Sequence, residues 1–463
     1  MEILFQTKNI YKAYKLYQME KFRLSRYNFF YTTKDSVVGL NLYNQHLFSI
    51  SKERYRLLGN YKLRIHELQS IDPVFFSTMC KLNIIEDFNT NIPNLLLLKN
   101  RKEVFSEEEI HLSINVTLNC NFSCWYCYES HTKLTMKKYN KDAILKFIDL
   151  LTKNKKTKLI RLNWFGGEPL LAFKNTLKPL AIEIKRKCYE AGIKLINAIT
   201  TNGYLVNEEV ISFFKEINME CFQITLDGKE ELHNRVRYNH SQEDTYNTIV
   251  KNICNIVKDL PNAKMYLRIN YTRENLDSCI DIIKSFPLEL RPKIIVNLTR
   301  VWQEKGLERE LEKELLIREN NIRSVFCSSG FNIFKKTLNC YTNYTCYADL
   351  YNQLIINYDG RVFKCSACDY EKSQEEGRLL ENGEIFWDEN MLAKRLNRAT
   401  FDNKSCLKCK FLPVCKGGCS QMYIEKTDNQ ICPAKIKYKI LINRLMHQFS
   451  KTGLKLAHIS NFE

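Results

Sequence analysis

The sequence lacks a long hydrophobic segment. No run of about 18 uncharged apolar residues occurs in the 463 residues, which argues against a membrane-spanning helix. The first residues, MEILFQTKNIYKAYKLYQ, contain no apolar stretch of the kind that a secretory signal requires. Internal repeats and low-complexity linkers are also absent. The sequence therefore predicts a cytoplasmic protein without a membrane partner.

The sequence also lacks a local concentration of charge. Lys and Arg outnumber Asp and Glu by 70 to 52, giving a net charge of +18, but the basic residues are spread along the whole chain. Nucleic-acid-binding elements usually cluster Lys and Arg with aromatic residues, and no such element is present. The net charge fits a solvated basic surface, or nucleic acid, an acidic peptide or an acidic electron-transfer protein as partner, and does not choose among them. Its diffuse distribution argues against nucleic acid as the partner.

Cysteine, in contrast, is abundant, with 18 residues in the chain. Disulfides do not persist in a reducing cytosol, so this number indicates metal or redox chemistry. Twelve cysteines fall into two groups, three near residue 120 and nine between 340 and 432. Six others stand alone among apolar residues and are predicted to be buried thiols of the core: Cys80, Cys188, Cys221, Cys254, Cys279 and Cys327.

From residue 111 onward, short apolar runs alternate with amphipathic stretches. The runs are LSINV, LIRLNWF, KLINAIT, FQITL, MYLRIN and KIIVNL. Between them, Ile144, Phe147, Ile148 and Leu151 follow helical spacing, and a second helix is expected over 206–217 with Asn207 as its cap. Alternating strands and helices predict an α/β fold of parallel βαβ units, as an open sheet or a partial barrel. Functional residues are then expected beyond the C-terminal ends of the strands.

The flanking regions have a different character. Within 1–108, SVVGLNLYNQHLFSI predicts two strands around Tyr43–Gln45, followed by a helix at KERYRLL, so a small α+β module is expected. Near the other end, QLIINYDGRVFKC predicts a hairpin with Asp359–Gly360 at the turn. We therefore predict three domains, over 1–108, 109–325 and 326–463.

Three closely spaced cysteines, Cys120, Cys124 and Cys127, occupy the loop after the LSINV run. Thiolates are the usual ligands of iron–sulfur clusters. Three of them can hold three corners of a four-iron cluster and leave the fourth iron open to the amine and carboxylate of a substrate. The alternative is a zinc site with His131 as the fourth ligand.

The CxxxCxxC spacing, with Tyr126 before the last cysteine, resembles the signature of the radical S-adenosylmethionine (SAM) superfamily. Three further motifs follow in the order typical of that family: Gly166-Gly167-Glu168-Pro169, Thr201-Asn202-Gly203, and Thr225-Leu-Asp227-Gly228 with His233 and Arg237. The resemblance implies a partial (β/α)6 barrel of the TIM type. It also implies one-electron cleavage of SAM to methionine and a 5′-deoxyadenosyl radical, which takes a hydrogen atom from the substrate.

The same resemblance assigns SAM contacts to specific residues. Arg237 would bind the methionyl carboxylate, which suits a planar guanidinium, and Tyr126 would line the adenine side. Thr225 would supply a hydroxyl group, and the GGEP backbone would hold the methionyl amine. The complete predicted set is Tyr126, Gly166, Gly167, Glu168, Asn202, Thr225, Asp227 and Arg237. A flavodoxin- or ferredoxin-type protein would donate the electron.

The C-terminal cysteines form a second pattern, Cys406-x2-Cys409-x5-Cys415-x3-Cys419. With Cys346 and Cys365 upstream and Cys432 downstream, they resemble the seven-cysteine SPASM domain of radical SAM enzymes, and Cys340 supplies an eighth ligand. The resemblance implies two auxiliary [4Fe–4S] clusters and hence three clusters in all. One would use Cys340, Cys346, Cys365 and Cys419; the other would use Cys406, Cys409, Cys415 and Cys432. A pair of zinc ribbons is the alternative, and Cys368 remains as a spare thiol.

Two activities of SPASM enzymes are candidates. The first is maturation of a ribosomally synthesised precursor peptide with a leader, through a thioether or carbon–carbon cross-link. The second is anaerobic sulfatase maturation, in which a Cys or Ser becomes formylglycine. Ser366 follows Cys365 where sulfatase maturases have an acidic base, and 119 residues precede Cys120, so the sequence favours the first. Residues 1–108 would then form a winged-helix-like module that binds the leader as an added strand. A module that serves stability or dimer formation is the alternative. A zinc-ribbon protein that binds nucleic acid is the alternative outside enzymes.

Overall fold

The computed structural model describes residues 21–60, 65–239, 241, 244–301, 303–304, 309–334, 345–397, 401 and 403–425. Two predicted cluster ligands, Cys340 and Cys432, lie outside this part of the chain. The contacts divide the protein into two compact units. The first contains the described residues of Met1–Val104, Lys336–Cys346 and Asn397–Glu463, and the second those of Phe105–Lys335 and Tyr347–Leu396. The predicted division into three domains stays a prediction.

The described strands are numbered in chain order. They are β1 (Phe22–Leu24), β2 (Asn28–Thr32), β3 (Val37–Asn41), β4 (Leu47–Ile50), β5 (Ile85–Asp87), β6 (Glu109–Asn115), β7 (Leu159–Phe165), β8 (Lys194–Thr201), β9 (Met219–Leu226), β10 (Lys264–Tyr271), β11 (Ile294–Arg300), β12 (Asn332–Ile333), β13 (Gln353–Ile356), β14 (Arg361–Phe363), β15 (Gly377–Leu379) and β16 (Ile385–Trp387).

The described α-helices are numbered in the same way. They are α1 (Lys52–Asn60), α2 (Leu68–Ile71), α3 (Pro73–Lys81), α4 (Ile92–Val104), α5 (Lys138–Lys153), α6 (Lys178–Glu190), α7 (Glu208–Glu216), α8 (Glu230–Val236), α9 (Thr245–Asp259), α10 (Arg309–Ser328), α11 (Glu389–Leu396), α12 (Lys404–Leu407), α13 (Leu412–Cys415) and α14 (Ser420–Glu425). Shorter 3-10 helices lie at Ile65–Glu67, Pro169–Ala172, Asp277–Ser285, Arg291–Lys293 and Tyr347–Asp349, and a π-helical turn at Phe173–Leu177. No helix in the described part of the chain has both the length and the apolar character needed to cross a bilayer.

The second unit is built on one sheet of eleven strands. Their hydrogen-bonded order is β12-β11-β10-β9-β8-β7-β6-β13-β14-β15-β16. Strands β6 to β11 are parallel and lie beside one another in chain order, so consecutive βαβ units form the sheet. These six strands coincide with the six apolar runs of the sequence, and the α/β class is confirmed. The predicted hairpin also forms, because β13 pairs antiparallel with β14, and β13 extends the same sheet parallel to β6.

The helices of the second unit follow the apolar spacing of the sequence. In α5, Ile144, Phe147 and Ile148 are buried in the core of this unit. The predicted cap of α7 is confirmed, since Asn207 Oδ1 accepts a hydrogen bond of 3.0 Å from the amide of Val210. Such a cap satisfies one of the amides that the first helical turn leaves unpaired.

The first unit contains the N-terminal module. Strands β2, β3 and β4 form an antiparallel sheet, and β3 and β4 flank the predicted turn at Tyr43–Gln45. Gln45 adopts the left-handed conformation there, with φ of 66°. The predicted helix also forms, as α1. The likeness to a winged helix stays a prediction.

The N-terminal module shares a hydrophobic core with the C-terminal cysteine array. Phe29 of β2 stacks on Phe411, with ring centroids 5.5 Å apart. One buried cluster of the first unit contains Tyr27, Val38, Leu40, Leu42, Ile92, Leu96, Phe411, Leu412 and Val414. Cys406, Cys409 and Cys415 pack against this cluster. The two segments are distant in sequence, and their apolar side chains are buried together.

No disulfide joins any of the sixteen described cysteines. Of the six predicted to be buried in the core, Cys188 and Cys279 are buried, whereas Cys80, Cys221 and Cys254 are only partly buried. The prediction is wrong for Cys327, which is exposed on α10. The neighbouring Phe326 occupies the inward position of this helix turn and is fully buried.

Candidate active site at the C-terminal ends of the strands

The loop after β6 brings three thiols to one pocket. Cys120, Cys124 and Cys127 line it, and its empty volume is about 950 Å³. The Thr117 hydroxyl fixes the start of the loop, because it donates to the carbonyl of Leu134 at 2.6 Å and accepts from the amide of Asn119 at 3.0 Å. Cys120 and Cys124 are partly buried and Cys127 is exposed at the mouth of the loop. Desolvation by the surrounding residues raises the pKa of all three thiols, that of Cys127 to about 12.

A buried carboxylate joins two of the predicted motifs. Glu168 is fully buried and accepts hydrogen bonds from the Thr201 hydroxyl and the Asn202 amide, both at 2.7 Å, and from the Leu170 amide at 3.0 Å. Burial raises the pKa of Glu168, while the bonds from Asn202 and Thr201 lower it. These bonds hold the GGEP turn after β7 against the TNG turn after β8. Glu168 therefore positions the two turns relative to each other.

A second network fixes the aromatic residue of the cysteine loop. The Tyr126 hydroxyl donates to Asp227 Oδ2 and accepts from Arg237 at 2.8 Å and from the Asn270 side chain at 3.1 Å. The Asp227 amide in turn donates to His233 Nδ1 at 3.1 Å. That contact requires an unprotonated Nδ1, in accordance with a His233 pKa that burial lowers well below its usual value. Asp227 and His233 thus hold the loop that carries Arg237.

The structure brings most of the predicted SAM contacts to the same pocket as the thiols. Those in its wall are Tyr126, Gly167, Asn202, Thr225 and Arg237. Gly166, Glu168 and Asp227 do not line the pocket. Glu168 accepts a hydrogen bond from Asn202 and Asp227 accepts one from Tyr126, and both of these donors line it. His131, the candidate zinc ligand, also lines the pocket, with Nδ1 3.0 Å from the carbonyl oxygen of Leu118. The roles of all these residues towards SAM stay predictions.

Three residues that line the pocket, Asn270, Glu129 and Gln303, were not predicted from the sequence. Asn270, near the end of β10, donates to Tyr126 and accepts from Arg268 at 2.8 Å. Glu129 accepts from the amide of Gly167 at 2.7 Å, and burial raises the pKa of its carboxyl to about 7. Gln303 donates to the backbone carbonyl of Tyr126. We expected functional residues near the C-terminal ends of the parallel strands. Asn270 fits this expectation as well, because it is the last residue of the MYLRIN run.

The predicted auxiliary ligands are distributed over both units. Cys346, Cys406, Cys409, Cys415 and Cys419 belong to the first unit and Cys365 to the second. The amide of Cys409 donates to the carbonyl of Cys406 at 2.9 Å, so this pair lies in one tight turn. Cys368 is buried, and its thiol lies 3.1 Å from the carbonyl oxygen of Cys365.

Comparison with known proteins identifies the fold of the second unit. The family model of the Radical SAM superfamily matches residues 114–258, which contain the three thiols and all the motifs lining the pocket. This chain contains a radical SAM domain. The cysteine-type anaerobic sulfatase-maturating enzyme of Clostridium perfringens strain 13 is 23% identical over 345 residues, covering 67% of this chain and 89% of the relative.

Two solved structures are similar to this chain over most of its length. The structure of native anSMEcpe with bound AdoMet and the Cp18Cys peptide matches with a TM-score of 0.57 and 20% identity, over 74% of this chain and 99% of that one. The crystal structure of Streptococcus suis SuiB matches with a TM-score of 0.51 and 16% identity, over 89% of this chain and 99% of that one. These similarities show the fold that the radical SAM domain adopts.

The pocket of the radical SAM domain suits a [4Fe–4S] cluster and SAM, the cofactors of this superfamily. Within the described residues, no three His, Cys, Asp or Glu side chains converge as ligands of a single metal ion. A four-iron cluster instead takes each thiolate at a different iron, so thiols spread around a pocket fit it better. Arg237 Nε is buried without a hydrogen-bond partner among the described residues, which leaves a donor for an anionic ligand.

The close packing of Gly167 yields a first prediction. Gly167 has φ of +45°, and a Cβ atom there would lie 2.3 Å from the carbonyl oxygen of Asn119 in the cysteine loop. We expect Gly167→Ala to lower the affinity for SAM at least about tenfold, because the turn and the cysteine loop must move apart. Anaerobic titration calorimetry on the reconstituted enzyme measures this effect.

Gly192 provides a matched control. It also has a positive φ, +68°, but no atom lies within 4 Å of the position of an added Cβ. Gly192→Ala therefore introduces the same kind of backbone strain without the steric clash, and SAM affinity should stay unchanged. Equal affinities for the two variants would contradict the proposed role of the Gly167 turn.

Proposed function

We propose that this chain is a radical SAM maturase that oxidises a side chain of a protein or peptide, and that its target is the Cys or Ser that becomes formylglycine in a sulfatase. The observation that carries the proposal is the single pocket that contains the three thiols, Arg237 and the ends of the GGEP and TNG turns. Bound there, the cluster and SAM supply a carbon radical that can take a hydrogen atom from an unactivated C–H bond.

The residues of the chain bind and orient the cofactor. Arg237 is fixed by Tyr126 and retains an unused Nε–H for the carboxylate of SAM. Asn202 is held by Asn121 through a side-chain bond of 2.8 Å, next to the cysteine loop. Phe122 lies 5.7 Å below the Arg237 guanidinium and is buried, so it screens this cation from water. Such a fixed and partly dry environment keeps a reactive radical from side reactions.

The sequence relatives support sulfatase maturation. Enzymes named as cysteine-type sulfatase maturases match about two thirds of this chain. The cross-linking activity that the sequence favoured is unconfirmed. Serine-type sulfatase maturases match as well, over shorter segments. The thioether or carbon–carbon cross-link therefore becomes the second candidate.

Two observations favour that second candidate. Ser366 stands where the resemblance expects an acidic base, and its hydroxyl lies 2.6 Å from the hydroxyl of Tyr347. Formylglycine formation needs a base for the thiol or hydroxyl proton, and neither of these groups is a strong one. The fold match to SuiB also spans 89% of the chain, against 74% for anSMEcpe, so a larger share of this protein has a counterpart there.

Mass spectrometry of the products separates the two candidates. Anaerobically reconstituted enzyme is incubated with SAM, a reductant and either a sulfatase peptide containing Cys or Ser, or short peptides encoded beside the gene. Sulfatase maturation removes two hydrogens from serine, or removes two hydrogens from cysteine and replaces its sulfur by oxygen from water, and the aldehyde product reacts with a hydrazide. A cross-link removes two hydrogens, gives no hydrazide adduct and changes the fragmentation between the joined residues.

The result expected from our proposal is a hydrazide-reactive sulfatase peptide. If the enzyme cross-links a peptide encoded beside the gene and leaves the sulfatase peptide unchanged, the second candidate replaces sulfatase maturation. A colourless protein that contains zinc and forms no 5′-deoxyadenosine would overturn both, and would leave the zinc-ribbon alternative. Reduction by flavodoxin or ferredoxin in place of a chemical reductant tests the predicted electron donor in the same assay.

A further inference from the structure

Three arginine side chains line the pocket of the radical SAM domain, those of Arg237, Arg268 and Arg300. Two of them face a carboxylate. Arg237 Nη1 lies 4.0 Å from Asp227 Oδ2, and Arg300 Nε lies 3.3 Å from Glu304 Oε2. Arg268 forms no ion pair with any described residue, and its one hydrogen bond goes to a neutral amide. Its positive charge is therefore not compensated within the described part of the chain.

Arg268 lies in a strand that is paired on both sides. Strand β10 is hydrogen-bonded to β9 and to β11, and Arg268 stands beside Thr225 of β9, which also lines the pocket. The side chain of Arg268 is partly buried. Withdrawing a guanidinium from water without a counter-charge costs free energy, and a neutral polar side chain would fill this position at a lower cost. The charge of Arg268 therefore indicates a role in the pocket.

A single hydrogen bond orients the guanidinium and leaves most of its donors unused. Arg268 Nε donates to Asn270 Oδ1 at 2.8 Å, and Asn270 Nδ2 donates to the Tyr126 hydroxyl at 3.1 Å. The two terminal nitrogens of Arg268 make no hydrogen bond to a described residue. Their N–H groups form a planar fork that matches the two oxygens of a carboxylate.

The carboxylate of SAM has a different predicted partner. Arg237 retains a free Nε–H for it and is a separate donor to the Tyr126 hydroxyl, at 2.8 Å. Asp227, the carboxylate of this network, already accepts hydrogen bonds from Tyr126 and from the amide of Asn270. Because SAM has no second anionic group, an anion that binds to Arg268 has to belong to the substrate.

We propose that Arg268 is a specificity residue that binds a carboxylate of the peptide substrate, supplied by an Asp or Glu side chain or by the C-terminus of the peptide. The inference rests on the proposed maturase function and adds a feature of its substrate. The net charge of +18 favours the approach of an acidic peptide. Loss of a charge-assisted hydrogen-bonded pair weakens binding by about tenfold or more.

The test compares peptides that differ in one charge. Reconstituted enzyme loaded with SAM is mixed with labelled sulfatase peptides in which one aspartate is moved along the positions around the target Cys, and each peptide has an asparagine counterpart. Fluorescence anisotropy gives the Kd, and mass spectrometry gives the product. At one position the wild type should bind the aspartate peptide at least about tenfold more tightly. Arg268→Gln should abolish this preference.

Two further arms identify the source of the carboxylate. Amidation of the C-terminus should weaken binding only if the terminal carboxylate is the group that Arg268 recognises. Peptides encoded beside the gene are treated in the same way, with their acidic residues replaced one at a time by the corresponding amides. A loss of affinity at one acidic residue assigns the contact to that side chain.

Charge reversal separates recognition from a structural defect. Arg268→Glu should prefer lysine to aspartate at the selected position, an exchange that misfolding would not produce. Arg268→Lys should retain part of the original preference, since it keeps the charge and loses the fork. Arg186→Gln is the control, because it removes an exposed cation of α6 that pairs with Glu183 and Glu190, and it should bind peptides like the wild type.

The outcomes for the inference and for the proposed function are distinct. Equal affinities of the wild type for every charged and neutral pair overturn the inference, and so does an Arg268→Gln variant in which only the KM for SAM rises. If the wild type modifies a peptide without any preference for charge, the inference alone fails. A preference that depends on Arg268, together with no peptide product, would overturn the proposed function and leave the binding site in place.

Discussion

Replacing Cys124 with alanine should abolish the formation of 5′-deoxyadenosine from SAM. Cys124 is the middle thiol of the loop after β6 and lines the pocket with Cys120 and Cys127. A cluster held by only two thiolates has lost one of its three anchors, so it should be lost or inactive. Turnover should fall to the background of the assay, measured by chromatography after anaerobic incubation with dithionite.

An exposed thiol provides the control for this experiment. Cys327 lies on the surface of α10 and lines no described site, so Cys327→Ala should retain full activity and iron content. Cys124→Ala should lose the iron of one cluster only, and its far-ultraviolet circular dichroism should match that of the wild type. Continued formation of 5′-deoxyadenosine by Cys124→Ala would refute the assignment of the pocket.

Replacing Glu168 with glutamine should destabilise the second unit by about 3 kcal/mol. Three donors, from Leu170, Thr201 and Asn202, point at the two carboxylate oxygens in a fully buried position. An amide presents an NH₂ group to at least one of these donors, so two buried donors face each other without an acceptor. Each such unsatisfied group costs about 1–3 kcal/mol. SAM affinity should fall as well, since Asn202 lines the pocket.

Urea unfolding followed by tryptophan fluorescence measures this loss, because Trp164 of β7 is fully buried in the same unit. Glu209→Gln is the matched control. Glu209 lies in the first turn of α7, and its ion pairs with other described residues are long, at 3.5 Å to Lys174 and 3.8 Å to Lys178. Its replacement should change stability by less than about 0.5 kcal/mol. Equal stability of the two variants would contradict the role of Glu168.

Local sequence patterns predicted much of the second unit. Strands β6 to β11 coincide with six apolar runs, because parallel strands buried on both faces need nearly continuous apolar sequence. The same pattern indicated the position of the pocket, since the loops that follow these strands contain Cys120, Gly167, Asn202 and Arg237. Motif spacing was informative because each motif follows a strand by a few residues.

Long-range contacts were not accessible in this way. Nothing in the sequence near Phe29 indicates that it stacks on Phe411, because apolar residues carry no information about which apolar surface they will meet. The contacts that Glu103 of α4 makes with Thr345 and Lys416 were equally hidden, since both residues lie more than two hundred positions away along the chain. The exposure of Cys327 depends on how α10 packs, which a single cysteine among apolar neighbours does not reveal.

The stacking of Phe29 on Phe411 limits how this protein can be altered. A truncated chain that begins after residue 104 would expose the apolar side chains of Phe411, Leu412 and Val414 to water, with a risk of aggregation. Chimeras that borrow the N-terminal module of another enzyme would have to bring a compatible partner for residues 411–414. The N-terminal module and the cysteine array are therefore expected to be inherited and engineered as a single piece.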